Sequence, residues 1–177
     1  MRKQKSHNLV LKELKAGNKR FLAGKSVQSS KSSLKKLQDF AKTGQAPKAT
    51  VLCCSDSRAP VEMIFDQDIG DLFVIRVAGN IVAPSLVGSV EFAANRFKTH
   101  LVLVMGHTQC GAITATLDHI ENAQAISSEN IYDLVSRIKP HILPIAQMKK
   151  ITRAEKMERA VEANVRASVN QLSHSSR

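Results

Sequence analysis

No stretch of these 177 residues is apolar for long enough to span a bilayer. The basic start, Met1-Arg2-Lys3-Gln4-Lys5, leads into no apolar run of signal-peptide length, so neither a leader nor a membrane partner is expected. Cysteine is scarce as well. Cys53, Cys54 and Cys110 are too few for a disulfide framework in a chain of this size, which points to reduced thiols, metal ligation and the cytoplasm. Aromatic residues make up 4% of the chain, with one Tyr and no Trp. That scarcity bears on the formal net charge of +11. The first 50 residues hold 13 Lys and Arg against Glu13 and Asp39, while the remainder holds 13 of each sign. Only Phe21 and Phe40 interrupt this basic region, so it lacks the interleaved aromatics on which bases stack. A solvated helical arm is expected there, and no nucleic-acid partner.

Two short motifs carry chemistry: Cys54-Ser55-Asp56-Ser57-Arg58 and His107-Thr108-Gln109-Cys110-Gly111. Thiolate sulfur and imidazole nitrogen are zinc ligands, and a catalytic zinc keeps three protein ligands and one open position. Cys54, His107 and Cys110 form such a set. Gly106 and Gly111 flank the His-x-x-Cys unit and suit a strand-to-helix turn. Cys110 would then lie near a helix N-terminus, whose partial positive charge favours its thiolate. Cys53 is read as a buried apolar residue, because strand alternation sends it to the face opposite Cys54. Asp56 and Arg58 follow Cys54 at alternate positions, and a purely apolar site would not tolerate them. His7, His100, His119, His141 and His174 carry no such context and are read as surface or core residues.

The length and a 43% hydrophobic content suit one soluble domain, residues 1–177, divided into a helical arm at 1–44 and an α/β core at 45–177. Leu9, Leu11, Leu14 and Phe21 predict an amphipathic helix ending near Gly17 or Gly24. A Ser/Lys-rich link over 26–33 and a helix through Leu34, Leu37 and Ala41 follow, broken by Gly44-Gln45-Ala46-Pro47. Three continuous apolar runs, 49–54, 72–77 and 101–105, have the length of fully buried strands. Helical patterns fall at 60–65, 85–97 and 110–120, and a last helix presents Met157, Ala160, Val161, Val165, Val169 and Leu172. Alternation of strands and helices implies a parallel sheet with flanking helices. Ligands of such sheets bind beyond the carboxyl ends of the strands, and both motifs fall there.

These residues resemble the β-class carbonic anhydrases. The likeness rests on Cys54-Ser-Asp56-Ser-Arg58 and Gly106-His107-Thr-Gln-Cys110-Gly111-Ala112, and extends through Leu14-Lys-Ala-Gly17-Asn18-Lys-Arg-Phe21, Gln45-Ala-Pro47-Lys, Gly70-Asp71-Leu-Phe73-Val-Ile-Arg76-Val-Ala-Gly79-Asn80, Ser89-Val-Glu91-Phe92-Ala93 and Glu162-Ala-Asn164-Val165. It covers nearly the whole chain in order. It implies that Cys54, His107 and Cys110 bind zinc, and that hydroxide generated at the metal hydrates carbon dioxide reversibly to bicarbonate and a proton. Two thiolates neutralise Zn²⁺, so the expected activity rises into the alkaline range.

The resemblance also assigns the surrounding residues. Asp56 would orient the hydroxide, or itself occupy the fourth position and shut the site; a bidentate Arg58 would hold it away from the metal and ionised. Gln45 would donate to substrate oxygen and Phe73 would form an apolar wall, contributed in relatives by a neighbouring subunit, which implies a homodimer or larger homo-oligomer. Gly111 would offer its backbone N–H near the metal, and Phe92 stands where some relatives carry Tyr. Relatives that close allosterically with bicarbonate have a Trp at the place of Val51, so a constitutively open type is expected. Relatives continue beyond the last helix with a further helix and strand, whereas this sequence stops at His174-Ser175-Ser176-Arg177. The C-terminal part of the family fold is therefore expected to be absent, leaving a strand edge uncovered. Two alternatives stand beside this reading. One is a zinc hydrolase of a related small substrate such as carbon disulfide, and the other a non-catalytic zinc-binding relative.

Overall fold

A computed structural model describes residues 5–27 and 33–175. The link expected over 26–33 and the terminal Ser176-Arg177 lie mostly outside them. Helices α1 (His7–Leu22) and α2 (Ser33–Thr43) precede strand β1 (Ala49–Cys53), the short helix α3 (Val61–Ile64) and strand β2 (Leu72–Arg76). A single helical turn, Ala78–Asn80, leads to α4 (Pro84–Phe97) and β3 (Val102–Met105). Helices α5 (Gly111–Asn122), α6 (Glu129–Ala146) and α7 (Arg153–Ser175) complete the order. The three strands form a parallel sheet in the order β2-β1-β3. The chain steps from β1 to a neighbour on one side and then crosses to the other, which makes the carboxyl ends of β1 and β3 the switch point.

All three apolar runs are strands, within one residue of the expected bounds. Only β1 is buried along its whole length, because it is the central strand. β3 is half-buried and leaves Val102 39% exposed, so its apolar run does not mark full burial. Sheet position depends on pairing order, which a run of apolar residues does not encode.

The chain divides into two compact units. The first takes in the described residues up to Val51, with Ser57–Ile75 and Gly88–Leu103. Here α1 buries Val10, Leu14 and Gly17, while Leu9 and Phe21 face outward. Of the expected stripe, Leu14 is buried and Leu11 half-buried, so only part of it faces the core. Gly17 does not end α1. A Cβ there would stand 1.8 Å from the carbonyl oxygen of Phe65, so this glycine lets the helix backbone approach α3. The helix stops instead at Ala23, before Gly24 at φ +65°. α2 sets the ring of Phe40 beside Gly70 and leaves Leu34 and Leu37 exposed. The basic arm meets an acidic loop: Arg20 pairs with Asp66 at 2.5 Å, Lys36 with Asp68, and Lys48 with Asp71 at 3.2 Å. Lys36 holds the Asp68 carboxyl below its usual range.

The second unit comprises Leu52–Asp56, Arg76–Val87 and the described residues from Val104 onward. Its core joins Cys54, Ile81 and Cys110 to Ile113 and Leu117 of α5, Ile138 and Ile142 of α6, and Met157 and Ala160 of α7. Sequence reasoning missed α6 because Pro140 and Pro144 lie inside it. The signal it overlooked is the spacing of buried Val135, Ile138, Ile142 and Ala146, preceded by Ser128, whose hydroxyl accepts from Ile131 N at 3.2 Å. In α7 the buried stripe is Met157, Ala160, Asn164 and Ser168, not the purely apolar face expected, and Val169 is 49% exposed. Thr152 and Glu155 cap its start reciprocally: Thr152 N donates to the Glu155 carboxylate at 2.7 Å, and Glu155 N to the Thr152 hydroxyl at 3.2 Å.

Candidate metal centre

Cys54 directly follows β1, and His107 lies two residues beyond β3. Because β1 and β3 are neighbours, residues more than fifty positions apart in sequence emerge side by side. Cys110 is the N-cap of α5. The left-handed residue that turns the chain between His107 and Cys110 is Gln109, at φ +55°, and not a glycine. Gly106 serves a different need, since a Cβ on it would stand 2.7 Å from Val165 Cγ2 and 3.1 Å from Val161 Cγ1 of α7. Gly111 has neither positive φ nor a close neighbour.

One ligand atom each from Cys54, His107 and Cys110 lies within 4.8 Å of the others. The two sulfurs are 3.9 Å apart and both cysteines are buried. His107 Nδ1 is 3.0 Å from the Thr108 carbonyl oxygen. A carbonyl only accepts, so this bond places the proton on Nδ1 and leaves the lone pair on Nε2. That Nε2 is buried and has no hydrogen-bond partner. An orphaned imidazole nitrogen beside two thiols is the donor set of a tetrahedral soft-metal site with one position left over, so the residues fit a zinc ion.

The electrostatics agree with that fit. Cys54 is drawn far below the ordinary thiol range, to about 4, first by the hydrogen bond from the Cys110 thiol and then by the Asp56 and Gly79 backbone N–H groups. Cys110 moves up, because it faces the Cys54 sulfur and is buried; the Ile113 and Ala112 N–H groups oppose this only in part. The expectation that the helix terminus makes Cys110 the thiolate is thus corrected for the metal-free protein. Two buried sulfurs this close do not both ionise without a cation, and more donors converge on Cys54.

Of the other expected site residues, Asp56 is half-buried, with Oδ2 3.9 Å from His107 Nε2, and it is not a member of the three-residue group. Arg58 is exposed in the turn at residues 57 and 58. Gln45 is exposed between α2 and β1. Phe73 is half-buried in β2 and forms an aromatic cluster with Phe92 and Phe97, with centroids 6.2 and 5.6 Å away. Gly111, exposed, opens α5.

Residues 49–177 match the sequence model of the family described as Carbonic anhydrase. The chain belongs to the β-class carbonic anhydrase family. It is 36% identical over 147 residues to a carbonic anhydrase of Mycolicibacterium smegmatis, covering 83% of this chain and 69% of that protein. Carbonic anhydrase 2 of Mycobacterium tuberculosis is 37% identical over the same length and shares. Among solved structures, the β-carbonic anhydrase CcaA superposes with a TM-score of 0.68 at 27% identity, covering 92% of this chain and 73% of that one. A structure of tetrameric β-carbonic anhydrases from Sordaria macrospora gives 0.67 at 25% identity, covering 94% and 82%.

In this carbonic anhydrase fold two further residues, Arg76 and Gly79, support the ligand segment. Arg76, the last residue of β2, donates to the carbonyl oxygens of Cys54 at 3.0 Å and Asp56 at 2.6 Å, and so fixes the segment between ligand and carboxylate. Gly79 N donates to Cys54 Sγ at 3.3 Å. An arginine ending an otherwise apolar strand was the available signal for the first. The second is a backbone group, which no side-chain pattern reveals.

Proposed function

We propose that this chain catalyses the reversible hydration of carbon dioxide to bicarbonate and a proton, with zinc held by Cys54, His107 and Cys110. The observation that carries the reading is the buried, partnerless His107 Nε2 beside two sulfurs 3.9 Å apart, in a member of the carbonic anhydrase family. Zinc, when bound, supplies a Lewis acid that lowers the pKa of water, an effect weakened by two thiolates, so activity rises from neutral into alkaline pH. Asp56 accepts a hydrogen bond from the attacking hydroxide and turns its lone pair toward the carbon of the substrate. Arg76 supports that role by fixing the backbone on which Asp56 stands. Arg58, two residues on, is the counter-charge that keeps the carboxylate ionised. Gln45 and Phe73 are the substrate-pocket residues, offered by a second copy of the chain, and Gly111 adds a backbone N–H.

The reading requires at least a homodimer. A second copy seated on this arm would cover Leu22, 74% exposed, and Leu34, 70% exposed. Stopped-flow hydration with zinc analysis, on this chain and on Asp56→Ala, tests the proposal. About one zinc per chain is expected, with hydration falling at least about a hundredfold in the variant. Zinc-loaded, folded protein without hydration would overturn it.

A further inference from the structure

The turn Ala78–Asn80 is an unfavourable piece of backbone next to the ligand set. Gly79 sits at φ 70°, ψ 16° and Asn80 at φ 42°, two successive residues in the left-handed region. Their conformation aims Gly79 N–H at Cys54 Sγ, 3.3 Å away. The carbonyls of Gly79 and Asn80 are held by α7. Asn164 Nδ2 donates to Gly79 O at 2.7 Å, and Ser168 Oγ donates to Asn80 O at 2.9 Å. Asn164 and Ser168 lie one helical turn apart on the same face and are each 2% exposed. On the adjoining stripe of α7, Val161 and Val165 leave no room for a Cβ on Gly106, the residue before His107. One side of α7 thus holds the turn that hydrogen-bonds Cys54 and lies against the glycine that precedes His107.

Burying an amide and a hydroxyl in a helix stripe costs stability unless each is satisfied, and an apolar pair would serve packing alone. We propose that Asn164 and Ser168 are positioning residues for the metal: they lock the turn so that Gly79 N–H remains on the Cys54 sulfur. A hydrogen bond to a ligand sulfur withdraws charge from it. It thereby orients Cys54 and limits how far that thiolate quenches the metal's acidity. This inference rests on the metal-site reading above.

Cobalt(II) alone is the probe, added to the metal-free full chain, with the sulfur-to-cobalt charge-transfer band as the readout. Zinc affinity by chelator competition is the second readout. Loss of the N–H bond raises the energy of the sulfur lone pair, so Asn164→Ala and Ser168→Ala move the band to longer wavelength. Both raise the zinc Kd by about tenfold or more. Ser168→Thr, which keeps the hydroxyl, returns the band toward its original position, and Glu162→Ala on the exposed face leaves band and Kd unchanged. If Asn164→Ala does not fold, Ser168→Ala decides. Folded alanine variants with an unmoved band and a Kd within about twofold of the parent overturn the inference while leaving the metal site intact. A parent chain that binds no cobalt overturns both readings together.

Discussion

Gly79→Ala tests how tightly the fold and the candidate site are tied. Gly79 lies at φ 70°, where an L-residue pays about 1–2 kcal/mol that glycine does not. The added methyl would stand 2.7 Å from Ile138 Cδ1 and 3.0 Å from Ala112 Cβ. Neither yields readily. Ile138 is fully buried in the core between α5 and α7, and Ala112 is fixed in the first turn of α5, directly after Cys110. Overpacking of this kind costs about 1–3 kcal/mol, and the lower chain entropy of unfolded alanine returns about 0.4–1. The net expectation is a loss of about 1–5 kcal/mol, read as a lower denaturation midpoint in urea for the metal-free protein at unchanged slope. Zinc affinity should fall in the same variant, because the displaced group is the N–H donor to Cys54. A loss below about 0.5 kcal/mol, the range of an ordinary surface change, would refute the argument that this backbone is both strained and closely packed.

Other outcomes follow from the same reasoning. Thr50 and Thr99 share a buried hydrogen bond of 3.0 Å, so Thr50→Val strands a hydroxyl and should cost about 1–3 kcal/mol by urea unfolding, with Thr50→Ser far milder. Thr152→Ala removes the cap of α7 and should cost about 1 kcal/mol in the same assay. The Thr152 backbone N–H and hydroxyl hold the Glu155 carboxyl below its usual range. Its contribution is therefore present above the unfolded carboxylate pKa and lost as pH falls through the lower folded one. The Tm difference between the parent and Glu155→Gln should be positive at pH 7 and vanish near pH 2; a difference independent of pH would contradict this. Leu34→Glu with Leu37→Glu should lower the molar mass seen by light scattering if a second copy covers α2, and an unchanged mass would argue against that cover.

The parallel α/β architecture was legible in the sequence because three apolar runs and the intervening 3.6-residue patterns are local signals. α6 was not, since its two prolines mimic breaks; packing of Val135, Ile138 and Ile142 overrides them. The stripe of α7 was misjudged for a related reason. Asn164 and Ser168 look like surface residues until a turn some eighty residues earlier in the chain supplies the carbonyls that make their burial tolerable.

The candidate site divides in the same way. Cys54, His107 and Cys110 were readable as a ligand set because thiolate and imidazole are chemically distinctive wherever they occur. Their convergence was decided by the pairing order β2-β1-β3, which places the ends of β1 and β3 together. Sequence by itself determined which atoms are available for the chemistry and the local elements that carry them. Tertiary structure alone decided which of the two sulfurs holds the proton without a metal, that Arg76 grips the Cys54–Asp56 backbone, and that Gly79 N–H meets the Cys54 sulfur. These depend on distances between residues far apart in the chain, and such distances exist only once the strands are paired and the helices packed.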